Sequence, residues 1–172
     1  MTMQYDVKQG HLNQSGFFVL GRNRVKGVSF FGTGSDATLV LFDTATTPVV
    51  SSVTYARTGT TVTVTKTAHG LSTGNVVGIH FNSNSSTSAT DGNYTITRTG
   101  ADTFTLTDIN TGDIASTAAS YVSGGGRWLI TYEVDATDTF ENSPIIPGEG
   151  VLATQGIYAL MTAIDSAQIY YG

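Results

Sequence analysis

The sequence contains no cysteine, which excludes disulfides, thiolate zinc sites and cysteine nucleophiles. Charge is scarce: only 12% of the residues are Asp, Glu, Lys or Arg, about half the usual share. No apolar run approaches the roughly 18 residues of a membrane-spanning helix. The opening MTMQYDVKQG also lacks the apolar stretch of a signal peptide. From these absences we expect a soluble chain made in the cytoplasm, with no membrane partner and no autonomous export signal.

The chain has 172 residues, among them 20 glycines, and is rich in threonine and serine. That length can bury a core without a metal or cross-link. Short polar and β-branched residues with many turn formers favour strands and tight turns over exposed helices, whose surfaces are usually built from long charged side chains. The net charge is −5, so no concentrated basic stripe suits a phosphate backbone, and nucleic acid is not an expected partner. Arg22, Arg24 and Lys26 alternate along one short segment and would share a strand face. They read as a solvated positive edge, with a local acidic partner as the alternative.

Residues 1–16 read as a polar arm. Gly16 to Leu20 and Val25 to Phe31 read as strands around a turn, and Ala37 to Phe42 has apolar residues at both parities, the pattern of a strand covered on both faces. Past Pro48 the pattern changes. Thr61-Val62-Thr63-Val64-Thr65 is the clearest strand alternation in the chain, with valines on one side and threonines on the other. Strands are also expected over Val76 to Phe81, Tyr94 to Thr97 and Thr103 to Thr107, with a serine- and asparagine-rich loop from Asn82 to Thr90. Residues 115–126, ending in Gly124-Gly125-Gly126, read as a flexible junction.

Beyond the junction, Arg127 to Val134 would carry Trp128, Ile130, Tyr132 and Val134 on one face. Strands over Gly150 to Ala153, Gly156 to Met161 and Ala167 to Tyr171 follow, the last two separated by a turn at Asp165-Ser166. Neither flank alone completes a pair of sheets. The expected fold is therefore all-β: an antiparallel sandwich from 1–52 with 121–172, carrying a small barrel or sandwich, 53–120, inserted in its middle. Two tandem domains are the alternative.

Catalytic constellations are wanting. His11, His69 and His80 have no metal-ligand spacing such as HExxH, and His69 reads as a side chain that steadies its own turn. Asp91, Asp102, Asp108, Asp113, Asp135, Asp138 and Glu141 all fall in or beside expected turns, where carboxylates accept backbone hydrogen bonds. Paired acids of a glycosidase would need a set separation across a cleft. Asp108 to Asp113 has only the beginning of a calcium loop and reads as a turn. There is no nucleophile elbow, phosphate loop or dinucleotide fingerprint. No catalytic, cofactor-binding or metal-binding residue is assigned, and no cofactor is expected. Trp128 and Tyr132 read as a core stripe, with a carbohydrate platform as the alternative, and the adjacent Tyr170 and Tyr171 should point in opposite directions.

The run Thr63 to Val77, which contains His69-Gly70-Leu71 and Gly74, followed by Asp91 to Ile96 and Ala101 to Leu106, resembles a small β module recurrent in phage virion and tail proteins. It is similar to the first catalytic cysteine half-domain of ubiquitin-activating enzymes. Asn75 and Val76 depart from that pattern, and the resemblance implies a fold without ubiquitin chemistry. Val25 to Ser35, Pro147 to Val151 and Tyr170-Tyr171-Gly172 resemble short virion structural proteins of marine bacteriophages. This resemblance implies a non-catalytic component of a phage virion, assembled in the host cytoplasm, without locating it on capsid, neck or tail. The short chain, its lack of the coiled-coil repeats of long fibres and its compact insert lead us to expect capsid decoration or cement over a tail or neck position. The implied partners are phage coat or tail proteins and further copies of this chain, a trimer being one closed form. A carbohydrate-binding or host-receptor-binding module, with a host surface glycan as partner, is the alternative of a different class.

Overall fold

The computed structural model describes residues 7–81, 88–123, 126–134 and 146–172. All regular elements there are strands: β1 (Lys8–Leu12), β2 (Gly16–Leu20), β3 (Asn23–Gly32), β4 (Ala37–Asp43), β5 (Val49–Thr58), β6 (Thr61–Thr65), β7 (Val76–His80), β8 (Gly92–Thr95), β9 (Thr97–Arg98), β10 (Thr103–Thr107), β11 (Ile114–Ser123), β12 (Arg127–Val134), β13 (Val151–Ala153), β14 (Gly156–Thr162) and β15 (Ile164–Tyr171). They form an all-β protein of two compact units, one of Met1–Thr47 with Trp128–Gly172 and the other of Pro48–Arg127.

The discontinuous unit is an antiparallel sandwich of two four-stranded sheets, ordered β1-β15-β3-β13 and β12-β4-β14-β2. Its core takes Val28 and Phe30 from β3, Ala167 and Ile169 from β15, Leu39 and Leu41 from β4, and Ile157 and Ala159 from β14. Each Val, Leu, Ile and Phe among these contributes about 1.5–3 kcal/mol on burial, and the alanines less. The expectation that β4 is covered on both faces agrees with the burial of Val40 and Phe42 as well as Leu39 and Leu41.

The continuous unit is one seven-stranded, nearly closed sheet, ordered β8-β7-β11-β5-β6-β10-β9. Val62 and Val64 point into its core with Val53, Tyr55, Ile79, Phe104, Leu106 and Tyr121. The threonines of the same alternation stay outside: Thr54 is paired with Thr65 and Thr65 with Thr103, and Thr58 with Thr61 and Thr61 with Thr107. Strand β5 begins at Val49 and pairs with β11 as far as Ser123, so the unit extends beyond the expected 53–120.

Four expectations are corrected. Part of the expected arm is strand β1, paired with β15 from Lys8↔Tyr171 to Leu12↔Ala167. It is an edge strand that turns little more than Gly10 and Leu12 inward, so its sequence shows no apolar alternation. Much of the expected junction is β11, which lies between β5 and β7. Its alanines and serines have weak strand preference, and backbone pairing on both sides supplies what propensity does not.

The turn before β15 is at Ala163, whose φ is 52°, while Asp165 sits at a bulge inside the strand. Finally, β12 does not present a single stripe: Trp128 packs on Phe42, whereas Leu129, Tyr132 and Val134 pack against the sandwich core. The alternation breaks between Leu129 and Tyr132, where the Trp128 indole N–H donates to the Thr131 hydroxyl at 2.6 Å.

Candidate functional site

The polar residues with chemical potential gather at turns, and their geometry shows what each one holds. In the seven-stranded unit, His69 lies in a turn where Ala68, Gly70 and Gly74 take positive φ. Its Nδ1 accepts from the Leu71 amide at 3.0 Å. Its Nε2 faces the carbonyls of Gly100 at 3.2 Å and Thr103 at 3.3 Å. Acceptance at Nδ1 and two carbonyls at Nε2 define the neutral Nε2–H tautomer. The ring stands edge-on to Phe104, and the Asp102 carboxylate accepts from the Ala68 amide at 2.7 Å. Thus His69-Gly70-Leu71 fastens one turn to the β9–β10 connection.

His80 is separate from His69. Its Nδ1 lies 2.5 Å from the Asp91 carboxylate, whose other oxygen accepts from the Phe81 amide at 2.7 Å. Asp91 therefore ties the end of β7 to the start of β8. Tyr94 donates its hydroxyl to the Thr90 carbonyl. Burial, followed by the negative charges of Asp108 and Asp91, pushes this hydroxyl's pKa up to about 12.

Arg57 and Asp108 form a buried ion pair in the same unit. The guanidinium meets the Asp108 carboxylate at 2.5 Å, with side-chain exposures of 2% and 0%. Arg57 Nε also donates to the Gly112 carbonyl at 2.8 Å, and Asp108 accepts from the Thr90 amide at 3.3 Å. Burial opposes ionisation of Asp108, but the guanidinium and the hydrogen bonds from Thr90 and Asn110 overcome it and hold the carboxyl below its ordinary range. The residues that begin like a calcium loop are thus spent otherwise: Asp108 on Arg57, and Asp113 on the Gly59 amide at 3.0 Å.

In the sandwich, Asp43 is buried at the end of β4. It accepts from the amides of Thr154 at 2.9 Å and Gln155 at 2.7 Å, and from the Thr154 hydroxyl at 2.8 Å. Burial works against its charge, and these bonds, with one from Gly156, reverse the balance and lower its pKa. Asp43 was not singled out from sequence. An acid closing an apolar strand was the available signal, but its partners lie more than a hundred residues away.

Arg24 and Lys26 share one edge, and both are engaged by one connection: Arg24 reaches Glu149 at 3.3 Å, and Lys26 donates to the Glu149 carbonyl at 2.8 Å. Arg24 thus finds an acidic partner within the chain, Lys26 meets a backbone carbonyl, and Arg22 is exposed. His11 is exposed on β1. Tyr170 is exposed and Tyr171 packs against the core, so the two do point apart. Among the described residues no group of three His, Asp or Glu could hold a metal ion. Asp135, Asp138, Glu141 and most of the Asn82 to Thr90 loop lie outside the described residues.

The fold and these fastened turns define a class, a two-unit all-β protein whose interior polar groups bind its own connections. No protein-family model matches the chain, and no curated protein does so either.

Proposed function

We propose that this chain is a non-catalytic structural component of a phage virion, most consistent with a capsid decoration or cement protein. One observation carries the reading: among the described residues, Asp43, Asp91, Asp108, Arg57 and His69 are committed to holding turns and strand ends. Asp43 holds the β13–β14 turn, Asp91 joins β7 to β8, and Arg57 with Asp108 locks the β10–β11 connection. Side chains used in this way stiffen a scaffold and leave its outer surfaces for contact. Sparse surface charge suits burial against coat proteins or further copies of the chain.

A reconstruction of the particle that resolves copy number and position tests this. Copies spread over the shell are the expected result. A small ring at one vertex would overturn decoration in favour of a neck or tail position, and absence from purified particles would overturn the virion assignment itself.

A further inference from the structure

The turn that carries His69 is anchored at its two ends, and the imidazole holds what lies between. At one end the Ala68 amide donates to the Asp102 carboxylate at 2.7 Å. At the other, the Ser72 amide donates to the Asn75 side chain and the Gly74 amide to the Ile96 carbonyl, each at 2.9 Å. Between these anchors, His69 Nδ1 accepts from the Leu71 amide, and Nε2 donates towards the carbonyls of Gly100 and Thr103. Gly70 is a ready pivot, with φ at +66° and nothing within 4 Å of the place a Cβ would take.

The two carbonyls do not depend on the ring. That of Gly100 also accepts from Arg98 Nε at 3.0 Å, and that of Thr103 from the amides of Thr99 at 3.1 Å and Gly100 at 3.0 Å. Withdrawal of the ring therefore leaves neither of them unpaired. The Leu71 amide is in a different position, because it is bonded to Nδ1 at 3.0 Å, the nitrogen that a second proton must take. An imidazolium would set two N–H donors against each other across that distance. Of the charged groups around the turn, Asp102 is the anion and is occupied by the Ala68 amide, while Arg98 on β9 and Lys66 just past β6 are cations. From β10 the ring meets the apolar edge of Phe104.

We propose that this arrangement is an acid-operated latch: a proton on Nδ1 releases the Leu71 amide and lets residues 69–71 swing away from the β9–β10 connection about Gly70, and loss of the proton closes them again. The neutral ring is the closed form. The latch is therefore shut above the ordinary imidazole value, about 6.5, and opens as pH falls below it. Leu71 packs against the core of the seven-stranded unit, so opening uncovers apolar surface beside the turn while the strands stay paired. The device lies within one unit and is independent of where on a particle the chain resides.

The test is NMR of the full chain labelled with nitrogen-15, titrated from about pH 7.5 to about pH 5, with the His69 ring nitrogens and the Leu71 amide followed together. At the upper end the ring should show the Nε2–H tautomer. As it titrates, the Leu71 amide should shift with the same midpoint. Its protection against hydrogen exchange, corrected for the pH dependence of the intrinsic rate, should fall about tenfold or more, while the amides of Val62 and Val64 stay protected. His69→Gln, whose side chain takes up no proton in this range, should show Leu71 protection that does not vary with pH; if that variant does not fold, the parent titration decides alone. A ring that titrates while Leu71 keeps its protection would overturn the proposal. So would a ring that stays neutral until the whole chain unfolds, or a Leu71 response that persists in His69→Gln.

Discussion

Arg57 and Asp108 are in contact at 2.5 Å although 51 residues separate them, and together they join the end of β5 to the segment that leads from β10 into β11. A buried ion pair is seldom worth more than a well-packed apolar pair, but breaking one leaves an uncompensated charge in the interior. Arg57→Met and Asp108→Asn should each destabilise the seven-stranded unit by about 3–5 kcal/mol. Hydrogen exchange at the β5 and β11 amides, compared with those of β4 and β14, checks both the size and the localisation of the loss.

Asp43 should set the acid sensitivity of the sandwich as Asp108 sets that of the other unit. Both carboxyls are held below their ordinary range when folded, so the unfolded chain takes up the proton first as acid is added. Their stabilising contribution is complete above the unfolded carboxyl value, about 3.9, and is lost as pH falls through the lower folded values. Asp43→Asn places an amide N–H2 against the donors of Thr154 and Gln155 and should cost about 2–3 kcal/mol near neutrality. The variant should also lose less stability than the parent on going from about pH 6 to about pH 3. Urea titrations followed by Trp128 fluorescence measure both effects, since the chain has 1 tryptophan and it lies in the sandwich unit.

What could be read from sequence follows from how local each cause is. Thr61 to Thr65 alternates strictly, and its valines are indeed core and its threonines surface. His69 acts on Leu71, two residues away, so its part in the turn was legible beside Gly70. Strands β1 and β11 were missed because long-range backbone pairing makes them strands, and their side chains carry little of that information. Asp43 and Arg57 escaped notice for the same reason. Nothing near Asp43 announces Thr154, and nothing near Arg57 announces Asp108.

Gly150 tests how closely the sandwich edge is packed. Its φ is +80°, and a Cβ built there would lie 2.1 Å from the Val25 carbonyl oxygen. Strain and overlap with backbone act together, and neither is relieved by a rotamer change. Gly150→Ala should lower the stability of the sandwich by more than the about 1–3 kcal/mol of ordinary overpacking. Gly148→Ala, with a comparable φ of +71° but nothing within 4 Å, should cost about 1–2 kcal/mol. Comparing the two melting temperatures separates the steric part from the conformational part.

Tyr55 should respond in the opposite direction. Its ring is 1% exposed and packs edge-on to Phe81 at 4.6 Å, yet its hydroxyl is buried without a hydrogen-bond partner among the described residues. Enclosing such a hydroxyl costs about 1–3 kcal/mol, while the ring itself fills the core. Tyr55→Phe removes the cost and keeps the ring, so stability should be unchanged or raised, by up to about 1–3 kcal/mol. Tyr55→Ala should instead lose about 3–5 kcal/mol through the cavity it leaves. A Phe variant less stable than the parent in denaturant would mean that the hydroxyl is satisfied in solution, by an internal water for example.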